Sequence, residues 1–319
     1  METAYSPNAR RAFLADRAAR STLDGFTFEA RCVVDNVSWA IDFHHGIDCC
    51  VPVEPHVPAE AQTQAFGLPT AKSAPCAFGD FRLAVEHGSS VNCELVHFCA
   101  HGSGTHSECV GHITHRRLAL RNCGPRCEDL IPSIVLSVTP VKFGESGDTY
   151  PGSDPEALVD DLVISRRNLQ QAYDTLVDRL GSNIQAFCRG MLIRTNHAKT
   201  MKCSIFTDTN PPFFTKEAIE WVCNRNTEHI LVDLPSVDRE QCGPGLLAHS
   251  TFFGFSPSGG VDAKSDSKDD VAYACRSTIT ELCHIPERAP DGTYMLALHV
   301  SPFDMDAAPS RPILYPCCR

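Results

Sequence analysis

Residues 101–115 read HGSGTHSECVGHITH: four histidines, a glutamate, a cysteine and three glycines in fifteen positions. The whole chain holds 14 histidines in 319 residues, so this window concentrates them several-fold. Neutral imidazoles beside a carboxylate suit zinc, manganese or iron, and metal ligation is the first chemistry the set implies. His106, Glu108 and His112 stand at even offsets, and in extended backbone they point to one side. His101 lies five residues before His106, which matches neither one strand face nor one helix face. Gly102 and Gly104 supply the permissive dihedrals for a bulge or turn that brings His101 round. Glu108 has two oxygens and can bridge two cations. His115 reads as an exposed neighbour. The spacing matches no common zinc motif such as H-E-x-x-H. The competing reading is a polar surface loop, or histidines satisfied one by one in a core.

Later segments hold further candidates. Glu281 lies in an apolar strand, TITEL, and a buried carboxylate must be paired, protonated or bound to a cation. His249, in GLLAHSTFF, reads by itself as a helix-face histidine. Asp233 and Asp238, in DLPSVD, read as supporting or turn residues rather than ligands. Cys109 is at an odd offset from His106 and Glu108 and reads as a packed thiol. Cys283 shares Glu281's strand face and is also read as packed. Cys123 and Cys127 are spaced C-x3-C, not C-x-x-C, with no βαβ pattern around them, so no redox role is expected.

The elements that must position these residues are partly legible. Residues 134–142 (IVLSVTPVK), 190–195 and 229–234 read as apolar strands, and 278–282, 294–300 and 313–315 as further strands. Residues 164–180 space apolar side chains at helical intervals, and Thr215 caps a helix through Ala218, Ile219 and Val222. The first ~90 residues read as irregular and strand-containing because prolines interrupt them. Residues 256–270 (SPSGGVDAKSDSKDD) read as a solvated, mobile loop. Irregularly interleaved strands and helices favour an α+β fold with a mixed or antiparallel sheet. Residues 1–34 are read as an N-terminal, helical extension and 35–319 as one domain.

A net charge of −11 makes a phosphate backbone or an anionic membrane surface a poor partner. Residues 1–20 contain no signal-peptide core, and no stretch approaches 18 apolar residues. The 17 cysteines, an odd number, read as mostly buried free thiols of a reduced, cytoplasmic protein.

The segment GTHSECVGH (104–112) resembles the H-x-G-T-H-x-D-x-P-x-H signature of the metal-dependent cyclase/hydrolase family, which includes bacterial kynurenine formamidase and isatin hydrolase. DLPSVD (233–238), AH followed by TFFG (248–254), TITEL (278–282) and the stretch ending SRPIL resemble later elements of that family in the same order. The resemblance implies a barrel-like mixed β-sheet flanked by helices, of swivelling β/β/α type. It implies His101, His106, Glu108, His249 and Glu281 as metal ligands and His112 as the acid/base group. His101, His106 and Glu108 would hold one cation, and Glu108, His249 and Glu281 a second. Strict alignment puts Gly102 where the first histidine belongs, so a one-residue bulge is expected to let His101 serve. Glu108 replaces an aspartate and Val110 a proline. The implied cofactor is one or two divalent ions, zinc or manganese. The implied activity is hydrolysis of a small formamide, lactam or other amide, in a homo-oligomer that needs neither nucleic acid nor membrane. The alternatives are lactone hydrolysis or cyclisation, and a binding protein that keeps the fold without catalysis.

Overall fold

The computed structural model describes residues 30–114, 118–125, 130–153, 155–195, 205–254 and 276–318. The expected helix before residue 30, the loop 256–270, His115 and Cys127 lie outside the described residues. Residues 30–34 are strand, not helix.

Seven strands close into a barrel. In chain order the elements are β1 (Ala30–Val34), β2 (Val37–Ile41), α1 (Ala100–Ser103), β3 (His106–Glu108), β4 (Ile131–Ser137), α2 (Arg166–Leu180), β5 (Gly190–Arg194), α3 (Lys216–Cys223), β6 (His229–Val232), α4 (Leu247–Phe253), β7 (Thr278–Glu281), β8 (Gly292–Val300) and β9 (Ala307–Cys318). Around the ring the order is β9, β8, β4, β5, β6, β7, β3 and back to β9. The β4–β5, β5–β6 and β6–β7 pairs are parallel, and the other four are antiparallel. The hairpin β1–β2 extends the sheet from the far end of β9. The sheet is therefore mixed, within an α+β fold.

The parallel strands are apolar on both faces because both are covered. Ile134, Leu136, Met191, Ile193, Ile230 and Val232 face outward onto Leu169, Tyr173 and Leu176 of α2 and Ala218, Ile219 and Val222 of α3. The alternate residues Val135, Leu192 and Leu231 fill the barrel interior with Ile131, Tyr294, Leu296 and Leu314. A strand's period of two divides each run between two cores. Gly190 is needed for packing, since a Cβ there would lie 2.1 Å from Ser133 Oγ.

Several boundaries differ from the sequence reading; the strand expected over 313–315 runs over Ala307–Cys318. Ile164 ends a short strand, Leu162–Ile164, and α2 begins only after Ser165, whose hydroxyl accepts from Asn168 N as an N-cap. β4 stops at Ser137, before Pro140. Thr215 caps α3 as expected, accepting from Ala218 N at 3.2 Å. All the described cysteines are free thiols. Among the described residues no helix is long and apolar enough to cross a membrane.

His229, at the start of β6, is buried, with Nδ1 2.9 Å from Thr278 Oγ1. Burial, aided by the charge of Arg189, pushes its pKa down to about 3. The folded chain therefore keeps this imidazole neutral where the unfolded chain protonates it, below about 6.5. The unfolded state binds the extra proton, so stability falls as pH drops from about 6.5 toward 3. Between pH 7 and pH 5 this one group should cost about 2 kcal/mol. Urea unfolding of chelator-treated protein at both pH values should show that His229→Asn removes this part of the pH dependence. An identical dependence in the variant would contradict it.

Candidate metal centre

Three strands meet where β3 is held between β7 and β9. In the register, Glu281 of β7 stands opposite His106 and Ala307 of β9 opposite Glu108. β3 thus presents His106 and Glu108 to a side chain at the very end of β7. Thr105 locks the entry to β3: its amide donates to Val51 O at 2.9 Å, and its hydroxyl accepts from Val51 N at 2.7 Å. That hydroxyl also donates to Leu282 O at 2.5 Å.

The glycines of the motif are there for close approach. A Cβ at Gly104 would lie 2.7 Å from Val51 O, and one at Gly111 2.1 Å from Leu118 O. The expected one-residue bulge is replaced by the short helical turn α1, which carries His101 into the site. His112 is not on β3 either: a 3-10 turn, Val110–His112, follows the strand and swings it back. The even-offset argument therefore holds for His106 and Glu108, while a turn accounts for His112. Cys109, pointing the other way, packs with Leu120, Cys123 and Ala308. Cys283 packs in the barrel interior because the strand ends at Glu281 and Leu282 takes a φ of 54°.

The structure brings all six sequence-predicted residues together. Glu108 Oε1 lies 2.5 Å from His249 Nε2, and Glu108 Oε2 lies 3.2 Å from His101 Nδ1 and 3.8 Å from His112 Nε2. Glu281 Oε2 is 3.5 Å from His106 Nε2, and Glu281 Oε1 is 3.8 Å from His249 Nε2. Glu281 Oε1 also accepts from Val237 N at 2.9 Å. His106, Glu108, His249 and Glu281 are buried, while the side chains of His101 and His112 are 25% and 28% exposed and mark the open side.

The residues present fit a divalent cation. His106 Nδ1 lies 3.1 Å from Gly104 O. A carbonyl only accepts, so Nδ1 carries a hydrogen, and in the neutral ring the lone pair falls on Nε2. That Nε2 is buried without a hydrogen-bond partner, the nearest carboxylate oxygen being Glu281 Oε2 at 3.5 Å. Buried polar atoms are rarely left so, except where an ion or water completes them. Two sets of ligand atoms converge within 4.8 Å: His101, Glu108 and His112, and His106, Glu108 and Glu281. Glu108 belongs to both sets. His112 joins His101, and His106 joins Glu281, because β7 stands directly opposite His106.

Charge in the cluster is tightly balanced. Burial disfavours ionised Glu108, yet the nearby His112 and His249, with hydrogen bonds from His101 and His249, hold its carboxyl well below the usual range. Burial likewise opposes a charged His249, but the Glu108 carboxylate and the Asp238 hydrogen bond raise its pKa well above normal. His101 is raised to about 10: burial works against it, but its hydrogen bonds to Asp306 and Glu108 and their charges outweigh burial.

Supporting residues surround the cluster. Asp238 accepts from His249 Nδ1 at 2.6 Å, Tyr150 Oη at 2.6 Å, Ala248 N at 2.7 Å and His249 N at 3.0 Å. Asp233 accepts from Thr195 N at 2.9 Å and Thr195 Oγ1 at 2.8 Å, tying the ends of β5 and β6. Burial, only partly offset by these bonds, pushes its pKa up to about 6. Both aspartates support rather than point into the cluster. The sequence reading missed Tyr150 and Asp306. Asp306 Oδ2 lies 3.2 Å from His101 Nε2 and 3.1 Å from His112 Nδ1. No local pattern in SPFDMD marks it; the signal is the register of β9 on β3.

Comparison with known proteins places this arrangement. Residues 41–239 match the Cyclase family model, which takes in 101–112 and 233–238 but ends before His249 and Glu281. A search of curated protein sequences finds no significant match. Among solved structures the fold is similar to a potential metal-dependent hydrolase with cyclase activity, at 14% identity over 85% of this chain and 98% of that one, with a TM-score of 0.51. It is also similar to a novel cyclase, at 9% identity over 85% and 88% of the two chains, with a TM-score of 0.51. Isatin hydrolase A from Labrenzia aggregata aligns at 11% identity over 96% and 98%, with a TM-score of 0.48. The two cyclase-type neighbours have the fold described above, and the family match covers well over half of the chain: the protein belongs to the cyclase family.

Proposed function

We propose that the protein is a metal-dependent hydrolase of a small carbonyl compound, with a formamide, lactam or other C–N amide as its substrate class. The observation that carries this reading is the converging His/Glu cluster with the partnerless buried atom His106 Nε2, His101 and His112 being its partly exposed members among the described residues. His106, Glu108, His249 and Glu281 would hold the cation, zinc or manganese, with His101 at a second position beside Glu108. When bound, a divalent cation supplies Lewis acidity, polarising a carbonyl oxygen and making water acidic near neutral pH.

The chain's own residues do the rest. His112 stands on the open side with its Nδ1 facing Asp306 and its Nε2 facing Glu108. Nε2 is the nitrogen left to take a proton from the attacking water. Once the tetrahedral centre has formed, the same Nε2–H returns the proton to the leaving nitrogen, so one imidazole serves as base and then acid. The buried carboxyl groups of Glu108 and Glu281 keep an ion in place, and the walls of β3, β7 and β9 exclude bulk water from one side.

Elemental analysis of purified protein should find one to two equivalents of divalent metal. Assays on N-formylkynurenine, isatin and simple lactones should find hydrolysis of the C–N substrates. His112→Ala should lower kcat by roughly 10²–10⁴ while metal remains bound. Unchanged turnover in that variant would refute the acid/base assignment.

A further inference from the structure

His101 enters the site one residue earlier than the family motif would place it, from a helical turn rather than from a strand. Its ring is therefore not aimed by a β register, and something else must aim it. The residue in position to do so is Asp306. Its carbonyl accepts from Cys109 N at 3.0 Å, and the next residue, Ala307, pairs with Glu108. The backbone of Asp306 is thereby bound to the strand that carries the site.

One carboxylate oxygen, Oδ2, lies 3.2 Å from His101 Nε2 and 3.1 Å from His112 Nδ1. The opposite nitrogens, His101 Nδ1 and His112 Nε2, face Glu108 Oε2 at 3.2 Å and 3.8 Å. The two rings lie 4.4 Å apart at 34° between planes. Both thus span the gap between the same two carboxylates. An ionised carboxylate oxygen only accepts hydrogen bonds, so each nitrogen facing Asp306 carries a hydrogen.

We propose that Asp306 is a positioning residue: by accepting one N–H from each ring it turns His101 Nδ1 and His112 Nε2 toward Glu108, making these two nitrogens the working ones. It touches neither cation nor substrate and acts through the imidazoles. Remote carboxylates that orient ligating histidines in this way are worth roughly 10–100-fold in metal affinity or activity. The inference rests on the cation-site reading above.

The test uses the full chain loaded with Co(II), whose visible absorption reports its ligands. Asp306→Ala should bind Co(II) 10–100-fold more weakly in chelator competition. At saturating Co(II) its absorption spectrum should differ from that of the unsubstituted protein, and with substrate kcat should fall while KM holds. Unfolding of the metal-free variant at an unchanged temperature would show that the change is not loss of the fold. Asp306→Asn keeps one oxygen able to face both rings and should recover most of the affinity and the parent spectrum. Parent-like affinity and spectrum in Asp306→Ala would overturn the role of Asp306 and leave the metal site standing, and so would an Asn variant as impaired as Ala. An unsubstituted protein that binds no Co(II) would overturn both.

Discussion

Glu108→Gln should strip the protein of bound divalent cation and of hydrolytic turnover together. Glu108 belongs to both converging ligand sets and is fully buried. Its two oxygens divide the cluster, Oε1 toward His249 and Oε2 toward His101 and His112. Glutamine keeps the shape, loses the charge and replaces one acceptor with an N–H₂ donor aimed at imidazoles. Removing one partner from a buried charged set costs about 3–5 kcal/mol, which corresponds to roughly 150–5,000-fold weaker cation binding. Glu108 sits in both ligand sets, so this loss should exceed that of His106→Ala, which removes a ligand from one set only. Metal content by elemental analysis, with chelator competition on both proteins, reads the effect directly. Glu108→Gln protein with its full complement of metal would refute the shared-ligand geometry.

The largest effect on stability should come from Asp238→Ala. Asp238 accepts four hydrogen bonds in a buried setting: from Tyr150, from His249 Nδ1 and from the amides of Ala248 and His249. Those amides open α4, whose preceding residue, Leu246, provides no side-chain cap. The carboxylate of Asp238 satisfies the orphan donors of that helix from a distance, where a negative charge is also favourable. Its pKa stays low against burial, chiefly through the bond and charge of His249. Alanine would leave a hydroxyl, two amides and a buried imidazole without their acceptor. Each unsatisfied group costs about 1–3 kcal/mol, more when charged, so a net loss of about 3–5 kcal/mol is expected. For a chain of this size that lowers the melting temperature by roughly 5–8 °C. Metal affinity should fall as well, because His249 loses the bond that fixes its ring. A loss below about 1 kcal/mol in urea unfolding would contradict the hub role.

How much of this was legible beforehand varies by residue. His106 and Glu108 could be read from their spacing, since a strand's alternation is a local property. Glu281 stood out because a carboxylate in an apolar strand needs a partner, and the partner is His106 on the neighbouring strand. His249 carried no local mark; only the order of motifs along the chain singled it out. The route taken by His101 was misjudged, because Gly102 permits a bulge and a helical turn equally. The pairing of His112 with His101 was likewise hidden, since it depends on the turn Val110–His112.

By itself the sequence determined the chemical inventory: which donors exist, their order, and the apolar runs that build a barrel wall. These follow from side-chain type and short-range periodicity, which need no knowledge of the rest of the chain. Only the tertiary structure decided which nitrogen meets which oxygen. Asp306 reaches His101 across 205 residues of sequence, and His249 reaches Glu108 across 141. Barrel closure sets β7 and β9 on the two sides of β3, and a register shift of one residue there would turn His106 and Glu108 away from Glu281.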